Sequence, residues 1–200
     1  MRSKWQVNRW FRLLLLGVFC IILFGYTAVI SSEKEDTSKK VDKSKYYVGI
    51  EDRGIKLLVG TQVAELVRTE DLLAIQVGVR NSSGKRVEVS KYDFKLLDKH
   101  GKEIEMASAP EVDNARKKFN NRLRLYTRVD AQLGSMFPKL PTDFYPPTGK
   151  IKFPTVTLPS NYKMVDFLYF KDSLLNGPYT LIWNSQDFEE PFTVDFDFKS

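Results

Sequence analysis

The chain has 200 residues and a formal net charge of +6, enough for one domain with appendages. The positive excess is concentrated at the start, in Arg2, Lys4, Arg9 and Arg12; residues 33–45 mix five lysines with four acids, and the remainder is close to neutral. A nucleic-acid binder needs a concentrated cationic face on its folded domain, so no nucleic-acid partner is expected.

Residues 1–12 read as a short cytoplasmic tail. Residues 13–30 begin at Leu13, close at Ile30 and carry no charge. With Trp10 and Phe11 at the near flank they approach the ~20 apolar residues a bilayer-spanning helix needs. Basic residues precede the segment and Ser31, Ser32 and Glu33 follow it, so the positive-inside rule predicts a cytoplasmic amino terminus and an exported body. An uncleaved single-pass membrane anchor is the expectation, with two alternatives. A signal peptide would have a core of about 7–15 residues and a small-residue cleavage site, for which only Val29 and Ser31 around Ile30 offer themselves. A lipoprotein would need a small residue before its cysteine, whereas Phe19 precedes Cys20. Cys20 is the sole cysteine, so the body must hold together without disulfides.

Residues 31–45 are polar, of mixed charge and without aromatics, which predicts a flexible stalk unable to offset its ordering entropy. From Tyr46 onward the pattern turns to period two, the signature of half-buried strands. Residues 54–67 read as one or two strands. In the next, Leu73, Ile75, Val77 and Val79 share one face while Ala74, Gln76, Gly78 and Arg80 share the other. Asn81 and Gly84 then suit a hairpin loop that needs positive φ. Residues 86–89 resume the alternation, residues 93–98 form the next strand, and a turn at Gly101 leads into another. Later strands are expected at 162–170, 179–184 and 192–198, where Phe192, Val194, Phe196 and Phe198 share a face. Seven to nine short strands separated by turns predict an all-β antiparallel β-sandwich over residues 46–200. The pattern lapses at about 107–150, an insertion in which residues 110–126 allow a short helix and 137–150 hold too many prolines for a central strand.

The run 79–105, with Asn81, Phe94, Leu96, Asp98, Gly101 and Lys102, resembles the telokin-like family of immunoglobulin-like domains in bacterial envelope proteins, over about residues 66–106. The resemblance implies an immunoglobulin-like sandwich and brings no catalytic residues with it.

Chemistry-bearing residues are sparse. His100, the only histidine, falls in the turn from Asp98 to Lys102, where an exposed turn residue is expected rather than a general base. Zinc lacks ligands, and no metal or cofactor is expected. Asp187, Glu189, Glu190, Asp195 and Asp197 offer oxygen ligands for calcium but read first as the acidic solvent face of an edge strand. Asn81 also begins an N-glycosylation sequon, which a turn explains more simply. The densest basic run is Arg116, Lys117, Lys118, Arg122, Arg124 and Arg128, interleaved with Phe119, Leu123, Leu125 and Tyr126. It is the candidate surface for an acidic envelope protein or an anionic polymer, its plainer reading being a solvated face. The function expected is therefore a non-enzymatic, membrane-anchored binding or scaffolding protein of the cell envelope. The alternative is an anchored carboxylate-dependent enzyme or a calcium- or carbohydrate-binding module.

Overall fold

The computed structural model describes residues 39–44, 46–61, 72–119, 128–146, 154–171 and 177–198, all within one unit, Lys39–Ser200. Along it run β1 (Lys40–Lys43), β2 (Tyr47–Asp52), β3 (Ile55–Gly60), β4 (Leu73–Asn81), β5 (Val87–Ser90), β6 (Phe94–Leu97) and β7 (Glu103–Ile104). Two helices follow, α1 (Ala109–Phe119) and α2 (Arg128–Gln132). The last strands are β8 (Thr155–Leu158), β9 (Tyr162–Phe170), β10 (Tyr179–Trp183) and β11 (Phe192–Phe196). Three sheets result, in the orders β1-β2-β3-β4-β9, β11-β10-β6-β7 and β5-β8. Every pairing between these strands is antiparallel. The expected all-β antiparallel architecture is present.

Alternation explains the shared core. The register sets Leu57 opposite Val79 and Val59 opposite Val77, while Ile75 faces Leu168. These side chains meet Phe94, Leu96, Leu181, Trp183, Phe192 and Val194 of the smaller sheet in one buried cluster. In that sheet Trp183 is the cross-strand partner of both Phe94 and Phe192, and its ring stacks on them at 5.7 and 5.2 Å. Such pairs add roughly 0.5–1.5 kcal/mol each beyond burial. The face shared by Phe192, Val194, Phe196 and Phe198 is buried as read from the sequence, with Asp195 exposed opposite.

The outer face of the five-stranded sheet departs from the reading. Ala74, Gln76 and Gly78 are buried too: Ala74 joins the main core cluster, and α2 lies over Gly78. Val129 and Leu133 join Tyr47 and Leu58 in a second apolar cluster there. Gly78 is required by that approach, since a Cβ would sit 2.5 Å from Val129 Cγ1 and 2.9 Å from Leu133 Cδ1.

Three boundaries change. The hairpin expected at 81–84 is not one: β4 pairs with β3 and β9, whereas β5 pairs with β8 in another sheet. Gly84 has the anticipated positive φ of 79°, but Asn81 is the last residue of β4 and serves by its side chain. The turn at Gly101 does close a hairpin, β6 with β7. A tight hairpin also forms between β2 and β3, where Arg53 (φ 49°) and Gly54 (φ 73°) supply the two positive angles a two-residue loop needs. Lys40–Lys43, read as the end of the stalk, pairs along β2 as an edge strand. The tail at 1–12, the anchor at 13–30 and stalk residues 31–38 lie outside the described residues. Among the described residues no helix is long and apolar enough to cross a membrane.

Candidate functional site

The insertion between β7 and β8 carries the basic run and builds the most chemically dense part of the described surface. At the start of its first helix Ser108 is tied to Glu111. Ser108 donates both its backbone N–H and its hydroxyl to Glu111 Oε2, at 2.7 and 2.6 Å, which fixes the entry of the chain. Val112 and Ala115 are buried against the core, and Arg116 follows Val112 by four residues. That spacing sets all three on one face of the helix.

Arg116 therefore points inward. Its guanidinium donates to the Tyr145 carbonyl and pairs with Asp143 Oδ1 at 3.1 Å, its side chain only 20% exposed. Asp143 Oδ1 also accepts the Tyr145 N–H at 3.0 Å, so one carboxylate joins helix and loop. Burial works against the Arg116 charge, yet Tyr169 and Asp143 more than offset it and push the pKa upward. Tyr145 and Tyr169 meet edge to face at 5.1 Å. The Tyr145 hydroxyl approaches the Tyr169 backbone and the Tyr169 hydroxyl approaches Arg116, but neither reaches hydrogen-bond geometry. Burial raises both phenols above their ordinary range. Lys91, from a single 3-10 turn (Lys91–Asp93), lays its Nζ 4.0 Å from the Tyr145 ring centre and 5.1 Å from that of Tyr92. Cation–aromatic contacts of this kind strengthen as water is excluded.

Asp166 of β9 completes the group. It is 5% exposed; Oδ2 accepts the Phe144 N–H and Oδ1 the Phe167 N–H, both at 2.8 Å. Burial is the largest influence on it and lifts its pKa to about 6, against the lowering effect of those two N–H groups.

The basic run is thus divided. Arg116 is committed to the interior, Lys117 and Lys118 continue α1, Arg128 opens α2, and Arg122 and Arg124 lie outside the described residues. The cluster that Asp143, Tyr145, Tyr169, Lys91 and Asp166 form with Arg116 was missed, because these six residues come from four separate segments. One signal was available: the spacing of Val112, Ala115 and Arg116.

The remaining candidates scatter. Asp187 Oδ2 accepts the Glu88 N–H at 2.7 Å, and Asp195 Oδ1 accepts the Thr180 hydroxyl at 2.6 Å on the edge strand β11. The Glu190 carbonyl accepts from Arg53. Among the described residues no group of three or more His, Cys, Asp or Glu side chains is placed to hold a metal ion. His100 is exposed in the β6–β7 turn, and its backbone N–H donates to Asp98 Oδ1 at 2.8 Å. Asn81 is fully buried. Its Nδ2 donates to the carbonyls of Lys85 (2.7 Å) and Leu158 (3.0 Å), and its Oδ1 accepts the N–H and hydroxyl of Ser83. The sequon asparagine is a structural pin, enclosed in the folded domain.

No protein-family model matches the chain, and no curated protein matches it either. Among solved structures it is similar to the crystal structure of the yjhA protein from Bacillus subtilis, at 18% identity, over 72% of this chain and 67% of that one, with a TM-score of 0.32. At that score the likeness carries no argument about fold or function.

Proposed function

We propose that the chain is a membrane-anchored, extracytoplasmic binding or scaffolding protein of the cell envelope, acting without catalysis. The observation that carries this reading is the order of its parts. A charge-free segment at 13–30, preceded by four basic residues, leads through a polar stretch into an antiparallel β domain. Such a layout tethers a folded module to one side of a bilayer. Within the proposal the β domain is immunoglobulin-like and belongs with the telokin-like domains that residues 79–105 resemble. Within the same proposal its contact surface is the remainder of the basic run, Lys117, Lys118, Arg122, Arg124 and Arg128. An acidic envelope protein or an anionic polymer fits that charge.

A membrane-impermeant crosslinker applied to bacterial spheroplasts tests topology and binding together. The chain is expected to crosslink to an envelope component, less well in raised salt and less well when Lys117→Glu and Lys118→Glu are combined, because screening and charge reversal act on exposed cations. A chain that the reagent cannot reach overturns the topology. Capture indifferent to both salt and charge reversal overturns the binding surface.

A further inference from the structure

The free side of β9 is closed in an unusual way. β9 is an edge strand of the five-stranded sheet, and its odd-numbered residues turn backbone groups outward. At one end the Lys163 N–H and C=O pair with Pro138 and Leu140, at 3.1 and 2.8 Å. At the other end the Tyr169 carbonyl accepts from Ala107 at 2.8 Å, and just past the strand Lys171 donates to the Glu105 carbonyl at 2.8 Å. Between these contacts two side chains do what a neighbouring strand would do. Asp166 folds back to accept the outward Phe167 N–H and reaches across to the Phe144 N–H, while Thr142 donates its hydroxyl to the Val165 carbonyl at 3.3 Å. We propose that the Asp166 carboxyl is a proton-controlled latch that holds residues 142–145 on the open edge of β9, tight in acid and looser toward neutral pH.

The direction follows from what surrounds the carboxyl. From the docked segment it faces Thr142, Asp143 and Tyr145, and from β9 itself Tyr169, while Arg116 of α1 stands one neighbour further off, on Asp143 and Tyr169. Its partner across β4 is the apolar Val77. Both phenols and the guanidinium are shifted away from the physiological range, and Arg116 is already neutralised by Asp143. Docking therefore encloses a carboxyl beside another carboxylate, and an enclosed charge is disfavoured unless fully compensated. The pKa of about 6 in the docked state lies above the ordinary Asp value of 3.8. Docking consequently binds protons: it is strongest below the ordinary value, weakens as pH rises through the interval up to about 6, and is level above that. A difference of about two pH units corresponds to an opening equilibrium up to ~100-fold larger at pH 7.5 than in acid.

Hydrogen exchange at the Phe144 amide, corrected for its intrinsic rate and followed from pH 3.5 to 7.5 in the full chain, reads the latch directly. Protection is expected to fall by tenfold or more across that range, with Asp166→Asn removing the dependence. Asp143→Asn should lower the midpoint by relieving like-charge repulsion. The Asp166 carboxyl carbon resonance of the unaltered chain provides a second reading, expected to titrate near pH 6. Protection indifferent to pH, a dependence that survives Asp166→Asn, or a carboxyl titrating in the ordinary Asp range would each overturn the latch.

Discussion

Arg116 shows how a charged side chain becomes part of a core. Its stem lies on the apolar face of α1 after Val112 and Ala115, and its planar fork meets a carbonyl and a carboxylate together. A lysine has no such fork. Removing the guanidinium takes a donor from the Tyr145 carbonyl and from Asp143, which keeps the Tyr145 N–H, at a cost of about 1–3 kcal/mol for a largely enclosed charged hydrogen bond. Arg116→Ala is therefore expected to lower the unfolding free energy measured in urea by that amount, and Arg116→Lys to recover only part of it. The exposed Lys99→Ala should stay within about 0.5 kcal/mol of the unaltered chain. Equal, small effects at both positions would return Arg116 to the solvated surface. Asn81 makes the same point with a neutral group: its side chain bonds to the β4–β5 loop and the end of β8.

At the scale of elements, β4 is the informative strand. Its inner face was legible as Leu73, Ile75, Val77 and Val79. Its outer face was read as solvent-facing because Gln76 and Arg80 are polar. The glycine between them carried the contrary signal, since a strand-interior glycine often marks close approach of another segment. Here that segment is α2, with Val129 and Leu133 seated on Gly78. Arg80 is held over the Phe137 ring at 4.8 Å and paired with Glu51, so even the polar end of this face is occupied. Gly78→Ala should force α2 outward and cost about 1–3 kcal/mol, the usual range for overpacking. Amides of α2 should exchange faster while those of β10 and β11 keep their protection. Unchanged exchange in α2 would mean that the helix does not rest on β4.

At the scale of the molecule, the folding unit starts before the aromatic-rich sequence does. β1 covers the edge of β2 through four residue pairs, from Lys40 opposite Glu51 to Lys43 opposite Val48. Its lysines suit an exposed edge strand, where charge discourages pairing with other chains. A fragment of residues 39–200 is expected to fold cooperatively, with a sheet-dominated circular dichroism spectrum that reductant leaves unchanged, since Cys20 is the only cysteine. A fragment of residues 46–200 should lose about 1–4 kcal/mol at roughly 0.2–1 kcal/mol per cross-strand pair, and should aggregate more readily through the uncovered β2. Identical stability of the two fragments would make β1 dispensable.

The sequence by itself determined the fold class. Period-two alternation is local and survives without knowledge of partners, so β4, β6, β9, β10 and β11 could be placed, and the Asp98, Gly101 and Lys102 turn could be read as a hairpin. The helix allowed within residues 110–126 appears as α1, because its Ser108–Glu111 contact and apolar spacing are local as well. Pairing is not local. That β4 bonds to β9 rather than β5 depends on which edges meet across some eighty residues, and alternation has no term for it. β1 was invisible because a four-residue edge strand exposed on its surface needs no apolar pattern. The cluster around Asp166 was decided by tertiary structure alone. A single aspartate in a strand reads as solvated until a distant segment closes over it, and only that enclosure changes the energy of its charge.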